Sequence, residues 1–452
     1  MKRLRSAALA LCALGTVLSS VGAPIPARDR IVVLISIDGF PAYLWKDPTL
    51  VIPNLRQLAA RGAVAEAMTV SNPSITWINH TTLVTGVNPR KHGVLFNGLL
   101  VRNGPTQPPK VEPWRDKAEL VRVPTLYDVA FEAGLTTAQV NWVAILNSGT
   151  ITHEFLEIPK PGGAIEQEMI AAGKVTLEDM RDFTKGKVID WRDEMWTRAG
   201  MHIVEMHQPH LLLFHLLTTD AANHQYGPGT LASRAAFAYA DAQIGKLLAA
   251  LDRAGLRDRA TIVVVTDHGF KKVNKVIHTN VALRDAGLIR IKGDQIESCD
   301  AYVVAEGGMA FGYVTDLARR AELLPRLKEV CAKVEGVGEV LDGSEGPRFG
   351  MPTPTENPGM GDLILWAKPG YAFKDPANTA GTIVDPTNYL GTHGYANSDP
   401  ELDGIFLASG YGIKVGSRIP RIRNLDVAPT LAALLGVQLP ATDGRTLNEI
   451  LE

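Results

Sequence analysis

Three apolar runs, each ending in an aspartate, constrain the fold of this chain more than any other feature of its sequence. They are IVVLISID at 31–38, HLLLFHLLTTD at 210–220 and TIVVVTD at 261–267. Continuous apolar runs of this length are typical of strands that are buried on both faces. Helical patterns alternate with them, for example at 53–61 and 232–255. The alternation predicts an α/β fold with a mostly parallel central sheet between two layers of helices.

Further elements of the same kind are predicted elsewhere: a helix at 125–134, a strand at 136–143 and a late helix at 424–436. The block 273–390 differs, because it has few long buried runs and contains a stretch rich in proline and glycine at 343–362. Within that block, 316–335 has the pattern of an amphipathic helix that Pro325 can break. We therefore predict one catalytic core, 28–272 together with 391–452, and an inserted smaller subdomain at 273–390.

The first 23 residues have the pattern of a secretory signal peptide. Lys2, Arg3 and Arg5 form a basic start, and an apolar run from Ala7 to Leu18 is followed by small residues. The run is shorter than the ~20 residues of a membrane-spanning helix, so a membrane anchor is the less favoured interpretation. No later stretch is long and apolar enough to span a membrane. We expect cleavage near residue 23 and a mature protein that is exported to the periplasm or secreted.

Charge and cysteine content exclude some functional classes. The formal net charge of −2 gives no support for a nucleic-acid-binding surface. Three cysteines are too few for a disulfide scaffold. Only Cys299 and Cys331 remain once the predicted signal is removed, and in an oxidising compartment they could pair. The counts themselves indicate no partner, and we expect a small molecule rather than a nucleic acid.

The acids that end the strands indicate a metal site, because ligands of α/β sheets bind beyond the carboxyl ends of the strands. These acids are Asp38, Asp220 and Asp267. Histidines lie near two of them, and a third stands in the glycine-bracketed turn GTHGY; they are His224, His268 and His393. A lone aspartate after a strand is usually a cap or turn residue. Three carboxylates and three imidazoles, however, could fill two adjacent sites for Zn²⁺ or another divalent ion, an arrangement that suits phosphoryl transfer.

A candidate nucleophile lies in the hydroxyl-rich segment SNPSITWINHTTLVTG at 71–86. Pro73 precedes a predicted helix start, and a hydroxyl in the first turn would face a site that favours anions. Ser74 and Thr76 are both candidates, and either could instead be a simple N-cap.

The segment PSITWINHTTLVTGVNPRKHG at 73–93 resembles the nucleophile segment of the nucleotide pyrophosphatase/phosphodiesterase family, within the alkaline phosphatase superfamily. VVVTDHGF, the pair Asp220 and His224, and GTHGY match the other metal motifs of that family in the same order. The match covers about 30–270 and 390–436. The resemblance implies an alkaline-phosphatase-like three-layer αβα sandwich that cleaves phosphodiester or phosphoanhydride bonds.

The resemblance also implies roles for individual residues. Thr76 would be the nucleophile and would form a covalent phospho-threonine intermediate. Two zinc ions would be bound, one by Asp38, Thr76, Asp267 and His268, and the other by Asp220, His224 and His393. Asn97 would donate a hydrogen bond to a phosphoryl oxygen.

Substrate contacts are implied at Trp77 and His215. Trp77 stands where the family usually has phenylalanine and can still stack on a base. His215 stands where the family often has an aromatic residue that helps to stack a nucleobase. Because of these departures, and of Ile78 in place of proline, the resemblance supports phosphodiester chemistry more strongly than it supports a nucleotide substrate.

Four alternatives stay open from sequence. The first is a phosphomonoesterase, which would need extra cationic contacts to the additional phosphate charge, and the second is a phosphonate hydrolase of the same superfamily. The third alternative is a sulfatase, because SNPSI at 71–75 is similar to the sulfatase pattern with Ser71 as its modified residue, but Ile75 replaces the arginine that this pattern requires. A metal-binding protein without turnover is the fourth alternative.

Other histidines are assigned no part in the chemistry. We predict that His80 and His92 are structural and fix the nucleophile segment. His202, His207 and His210 cluster before a strand and are predicted to be solvated residues at a helix end.

Overall fold

The three acid-terminated runs form adjacent parallel strands in the computed structural model of the protein, which describes residues 25–376 and 379–452. The predicted signal peptide, 1–23, lies outside the described residues. Within the described ranges, no helix combines the length and the apolar character needed to cross a membrane.

The strands are β1 (Ile31–Ile37), β2 (Gly62–Ala65), β3 (Met68–Thr69), β4 (Leu99–Val101), β5 (Lys110–Glu112), β6 (Thr137–Val140), β7 (His153–Phe155), β8 (Leu211–Leu216), β9 (Ala260–Val265), β10 (Lys271–Ile277), β11 (Ile289–Lys292), β12 (Gln295–Cys299), β13 (Ala301–Glu306), β14 (Met309–Val314), β15 (Val337–Asp342), β16 (Leu363–Ala367), β17 (Gly370–Phe373), β18 (Val384–Pro386), β19 (Gly391–Thr392), β20 (Phe406–Gly410), β21 (Arg418–Ile419) and β22 (Ile422–Arg423). The α-helices are α1 (Ala42–Trp45), α2 (Pro53–Ala60), α3 (Thr76–Thr85), α4 (Pro89–His92), α5 (Lys117–Leu120), α6 (Leu126–Glu132), α7 (Ala164–Ala171), α8 (Leu177–Arg181), α9 (Ile189–His207), α10 (Thr218–Tyr226), α11 (Leu231–Arg253), α12 (Thr279–Asp285), α13 (Arg320–Ala332) and α14 (Val427–Leu435).

The central sheet has eight strands in the order β21-β2-β20-β9-β1-β8-β6-β7. The strand β1 pairs in parallel with β8 on one side and β9 on the other, and β6 continues the parallel run to β7. The strand β20 runs antiparallel to both of its neighbours, β9 and β2. The predicted mostly parallel central sheet is confirmed.

Alternate residues of the central strands face two separate cores. Val33 and Ile35 of β1 pack with α2, α9 and α11, whereas Val32 and Leu34 pack with α3, α6 and α14. Side chains of a strand point alternately to the two faces of its sheet, so a run that is apolar at every position requires cover on both sides. The result is the three-layer αβα arrangement predicted from the sequence.

The block 273–390 contains a second sheet of four antiparallel strands, in the order β13-β14-β16-β15. It has a buried core of its own, in which β14 is buried along its whole length. The strand β10 begins at Lys271 and pairs with β17 inside the block. The division into core and insertion at residue 273 stays a prediction.

One local expectation is corrected and one open question is answered. The helix predicted at 316–335 spans Arg320–Ala332 and continues through Pro325, so it is shorter than predicted and unbroken. Pro325 lacks the N–H that would donate to the carbonyl oxygen of Ala321, and the helix continues without this hydrogen bond. Cys299 and Cys331 are free, buried thiols and do not pair. Burial raises the pKa of each thiol to about 12.

Candidate active site

The carboxyl ends of β1, β8 and β9 bring the predicted metal ligands together at one edge of the central sheet. Asp38 follows β1 directly, and Asp267 and His268 follow β9. The ligand atoms of these three residues lie within 4.8 Å of one another. His268 Nε2 is 3.3 Å from Asp38 Oδ1 and 3.2 Å from Asp267 Oδ2. All three side chains are completely buried.

Asp220, His224 and His393 form a second group, whose ligand atoms also lie within 4.8 Å of one another. The sequence pattern places Asp220 at the end of a strand, but β8 stops at Leu216 and Asp220 lies in the first turn of α10. The start of this helix is fixed by Asp193 of α9, which accepts hydrogen bonds from the backbone N–H groups of Leu217 and Thr218 at 2.9 and 3.0 Å.

On α10, Asp220 and His224 are four residues apart and therefore on the same helix face. His224 Nε2 is 3.3 Å from Asp220 Oδ1. His393 links the two groups, because its ring stacks on that of His268 at 3.6 Å between centroids.

The three histidines are oriented through their Nδ1 atoms. Nδ1–H of His268 donates to the carbonyl oxygen of Gly269 at 3.1 Å, that of His224 to Gly391 at 2.9 Å, and that of His393 to Ser74 at 2.8 Å. A proton on Nδ1 leaves the Nε2 lone pair available, which is the arrangement of metal-bound histidine. Gly394, with φ +89°, makes the turn beside His393, where a Cβ would lie 2.1 Å from the backbone oxygen of Glu306.

One oxygen of each aspartate has no hydrogen-bond partner within residues 25–376 and 379–452. These buried atoms are Asp38 Oδ1, Asp220 Oδ1 and Asp267 Oδ2. The other oxygen of Asp267 accepts from the backbone N–H groups of Gly39 and His268, at 3.1 and 3.0 Å. One carboxylate oxygen of Asp267 is thus hydrogen-bonded to the backbone, and the other faces the interior of the site without a partner. Unpaired buried carboxylate oxygens are costly, and a cation would compensate them.

The pKa shifts of the site have the same cause. Burial, reinforced by the charges of Asp267 and Asp220, raises the pKa of Asp38 well above its usual value. Burial also holds the pKa of His268 and His393 well below the usual value, so both rings are neutral. Neutral imidazoles and clustered carboxylates are the donors that suit Zn²⁺, and the residues present therefore fit two divalent ions.

Thr76 is the first residue of α3, and its side chain is partly exposed at the edge of this site. Its Oγ1 lies 3.4 Å from His268 Nε2. Ser74, the other candidate, is buried, and its hydroxyl donates to the carbonyl oxygen of Tyr395 at 2.8 Å. Neither residue caps the helix, because the N-cap is Ile75. Of the two hydroxyls, only that of Thr76 reaches the ligand groups.

Asn97 is exposed beside Thr76, and its Oδ1 accepts a hydrogen bond from the backbone N–H of Trp77 at 2.9 Å. This contact uses the carbonyl end of the amide and leaves the NH₂ end free to donate. Thr76, Trp77, Asn97 and all three residues of the second ligand group line one cavity of about 290 Å³.

The predicted substrate contact His215 sits behind Asp38, one of the predicted metal ligands. Its side chain is buried at the carboxyl end of β8, its Nε2 is 2.9 Å from Asp38 Oδ2, and its Nδ1 is 3.0 Å from the carbonyl oxygen of Asn141. With both ring nitrogens in contact with the protein, His215 borders the cavity but is held as a support for Asp38. A polar residue inside an otherwise apolar strand was the sequence signal for this role.

A second, mainly apolar cavity of about 420 Å³ adjoins the first. The two cavities share five lining residues, Trp77, Pro113, Trp114, Val143 and Glu157, and Trp142 and Ile145 extend the apolar lining.

A third cavity, of about 310 Å³, shares Asn97, His224 and His393 with the central cavity and is also lined by residues that the sequence did not point to. These residues include Glu306, Lys374 and Tyr389, whose ring stacks on that of His224 at 4.5 Å.

The remaining candidates of the sequence lie apart from the ligand groups or support them. Ser71, the sulfatase candidate, is buried and donates to Asn424 Oδ1 at 3.1 Å. His80 and His92 are fully buried; His80 Nδ1–H donates to the carbonyl oxygen of Thr76 at 2.8 Å, and His92 Nε2 is 3.2 Å from Thr82 Oγ1.

The prediction of solvated residues at a helix end is wrong for His202. Its side chain is 4% exposed, because it lies on the inner side of α9 and faces Glu168. His207 is partly buried, and its Nε2–H donates to the same carboxylate at 2.7 Å. His210 is partly exposed, and its Nδ1 lies 2.7 Å from Thr136 Oγ1.

The comparisons with known proteins give the family to which a chain with this fold and site belongs. The family model for type I phosphodiesterase / nucleotide pyrophosphatase matches residues 32–396. The chain belongs to this family.

Individual relatives are distant but extend over most of the chain. The chain is 24% identical to mouse ectonucleotide pyrophosphatase/phosphodiesterase family member 7, over 94% of this chain and 87% of the relative. The solved structure of human ectonucleotide pyrophosphatase / phosphodiesterase 5 matches with a TM-score of 0.71 at 18% identity, over 94% of this chain and all of the other. Its murine counterpart, an inactive threonine-to-alanine variant in complex with AMP, matches with a TM-score of 0.69 at 16% identity, over the same shares. These matches confirm the alkaline-phosphatase-like fold.

Proposed function

We propose that this protein is an exported, dizinc phosphodiesterase of the nucleotide pyrophosphatase type, with Thr76 as its nucleophile. The observation that carries the proposal is the position of Thr76 Oγ1, at the start of α3 and 3.4 Å from His268 Nε2. A hydroxyl at a helix N-terminus, beside clustered carboxylates and neutral imidazoles, is placed to attack an anionic ester.

Asp38, Thr76, Asp267 and His268 would hold one zinc ion, and Asp220, His224 and His393 the other. When bound, the two ions supply positive charge that lowers the pKa of the nucleophilic hydroxyl and of water and stabilises charge on the reacting oxygens. Other divalent ions that accept oxygen and nitrogen ligands are compatible with the same donors.

The chain's own residues carry out two displacements in this proposal. In the first, Thr76 Oγ1 forms a bond to phosphorus while the bond between phosphorus and the leaving group breaks; the hydroxyl proton passes to solvent, and the departing alcohol or phosphate takes up a proton from solvent. In the second, water attacks phosphorus, the bond between phosphorus and Thr76 Oγ1 breaks, a proton of the water restores the Thr76 hydroxyl, and the phosphate monoester leaves. The free NH₂ of Asn97 donates to a phosphoryl oxygen in both steps, as a donor that is positioned before the reaction begins.

The charge of the cavity favours diesters over monoesters. A monoester carries an additional negative charge, which monoesterases meet with Arg or Lys. Among the described residues, neither Arg nor Lys lines the cavity that contains Thr76. Lys374 lines the adjoining cavity with Asn97, His224 and His393, where it is suited to the second phosphate of a phosphoanhydride.

The apolar cavity beside Trp77 supports an organic group on the other side of the phosphate. Its lining is mainly indoles, prolines and aliphatic side chains, with Arg115, Glu157 and Lys160 among them, and aromatic faces stack on planar rings. The structurally similar murine protein in complex with AMP supports a nucleotide as this group. The signal-like sequence at 1–23 and the prefix "ecto" in the names of the relatives support export.

A matched substrate panel tests the proposal. With Zn²⁺ present, rates are compared for bis-p-nitrophenyl phosphate, p-nitrophenyl phosphate, thymidine 5′-p-nitrophenyl phosphate, phosphonoacetate and a nitrophenyl sulfate. We expect the two diesters to be hydrolysed fastest and the nucleotide ester to have the lower KM. A preference for the monoester, the phosphonate or the sulfate would overturn the diesterase assignment, and a preference for the simple diester would remove the nucleotide.

A further inference from the structure

A third group of metal-ligating side chains lies outside the candidate active site. It consists of Glu168 on α7 and of His202 and His207 on α9, whose ligand atoms lie within 4.8 Å of one another. His202 Nε2 is 2.9 Å and His207 Nε2 is 2.7 Å from the same oxygen, Glu168 Oε2. The proposed hydrolysis uses none of these groups.

This group lies at the opposite edge of the central sheet from Thr76. Helix α9 ends at His207, and β8 begins at Leu211, so His207 is near the amino end of β8. Asp220 follows the other end of the same strand. Six residues of a strand span about 20 Å. A cation bound here would therefore share no ligand with the candidate active site.

The three donors are held in place by the fold. The His202 side chain is only 4% exposed. His207 ends α9, since Gln208 adopts φ 47° and terminates the helix, and its ring stacks on that of His153 at 4.1 Å. The Glu168 side chain is 41% exposed, so the group opens to solvent on one side. The two imidazoles are therefore held on the buried side of the group, and an ion can enter from solvent on the side of Glu168.

We propose that Glu168, His202 and His207 bind one divalent transition-metal ion, with Zn²⁺ as the best-suited ion and water as the remaining ligand. Two imidazoles and one carboxylate are a known three-residue set for zinc, in which the fourth position stays open. The carboxylate of Glu168 also neutralises part of the charge of the ion.

Lys174 provides a second, independent test of the proposal, because it contacts one of the proposed ligands. Its Nζ is 3.1 Å from His202 Nδ1 and 3.5 Å from Glu205 Oε2. In this geometry Lys174 donates to Nδ1, so the ring proton of His202 is on Nε2, facing Glu168. Metal binding requires the lone pair on Nε2 and hence the proton on Nδ1. Lys174 must then bond to Glu205 alone, and it opposes metal binding both by its hydrogen bond and by its charge.

The test is zinc binding by the full chain, measured as zinc per chain after equilibration with buffered Zn²⁺ and by competition with a chromophoric chelator. We expect Glu168→Gln to bind one zinc fewer than the wild type, and His207→Gln to do the same. His210→Gln is the matched control and should leave the zinc content unchanged. Lys174→Met should lower the Kd of this site about tenfold. Circular dichroism and thermal unfolding establish that each variant is folded.

Equal zinc content and equal Kd in the wild type and in both ligand variants would overturn the proposal. The expected difference of one zinc does not depend on how many ions the candidate active site holds. Failure of this inference is therefore distinguishable from failure of the proposed function, and hydrolysis by Glu168→Gln should equal that of the wild type.

Discussion

His215 Nε2 is hydrogen-bonded to Asp38 Oδ2 at 2.9 Å, while Oδ1 of the same carboxylate lies 3.3 Å from His268 Nε2. Paired strands bring the two residues together, since His215 is opposite Ser36 in the register of β8 against β1. One oxygen of Asp38 is thus held by the protein, and the other is presented to the first ligand group. Support of this kind from outside a metal site fixes the orientation of its ligands.

The first prediction follows from this contact. His215→Phe should weaken zinc binding at the group of Asp38, Asp267 and His268 by about 10- to 100-fold, because the carboxylate loses its hydrogen-bond partner. His215→Gln can still donate through its amide and should restore part of the affinity. The measurement is zinc binding by chelator competition. Unchanged affinity in His215→Phe would show that Asp38 does not depend on this hydrogen bond.

Removal of metal should destabilise the protein. Asp38, Asp220 and Asp267 each have a buried, unpartnered oxygen, and without cations these charges repel one another. A ligand at 1,000 times its Kd stabilises the folded state by about 4 kcal/mol. We therefore expect a chelator to lower Tm by several degrees, and added Zn²⁺ to restore it.

Glu168→Gln is the control for this measurement, because it lacks the proposed third site and keeps both active-site groups. It should show nearly the whole decrease in Tm. A Tm that chelation leaves unchanged would contradict the assignment of metal to the two active-site groups.

Trp77 should contribute to the binding of the nucleotide rather than to the chemistry. Loss of a base–aromatic stack costs about 1–3 kcal/mol, so Trp77→Ala should raise KM for thymidine 5′-p-nitrophenyl phosphate at least about 5-fold. Methyl p-nitrophenyl phosphate lacks the base and should be affected less. Trp77→Phe keeps an aromatic ring and should largely restore KM. Equal effects of Trp77→Ala on both substrates would place the nucleoside elsewhere.

Glu306 predicts a pH dependence of stability. Burial raises the pKa of its carboxyl group to about 8, and no hydrogen bond or cation compensates this among the described residues. The folded state therefore holds a proton that the unfolded state has released between about pH 4.5 and pH 8, and over this range Glu306 makes the protein less stable as pH rises.

Glu306→Gln should remove this dependence. Relative to the wild type, the variant should gain free energy of unfolding as pH rises from 5 to 8, by on the order of a few kcal/mol, and then level off. Urea unfolding at fixed free zinc across this range is the measurement. A constant difference between the variant and the wild type would show that the carboxyl group titrates normally.

The sequence predicts the central sheet well because the strands that end at the candidate ligands are local runs of apolar residues. Asp38 and Asp267 come immediately after buried strands, and parallel strands place their carboxyl ends at one edge. The pattern assigns Asp220 to a strand because the cause of its helix is not local: the carboxylate of Asp193, on the preceding helix, caps the start of α10. The role of His215 likewise depends on a neighbouring strand.

The second sheet escapes prediction for a different reason. Its strands β13 and β15 are only partly buried, so they lack the continuous apolar runs that are typical of the central strands. The surrounding glycines and prolines further interrupt the strand pattern in the sequence. Cavity residues such as Glu306 and Tyr389 come from this block, where the family motifs give no guidance. Side chains brought together by long connections leave no periodic signal in the sequence.

The most direct test of the proposed chemistry is the rate of diester hydrolysis by Thr76→Ala at verified metal loading. The Oγ1 of Thr76 is the proposed nucleophile, so kcat for bis-p-nitrophenyl phosphate should fall by at least about a thousandfold while the active-site groups retain zinc. Thr76→Ser keeps a hydroxyl and should retain measurable turnover. Hydrolysis at the wild-type rate by zinc-loaded Thr76→Ala would contradict the assignment of Thr76 as the nucleophile.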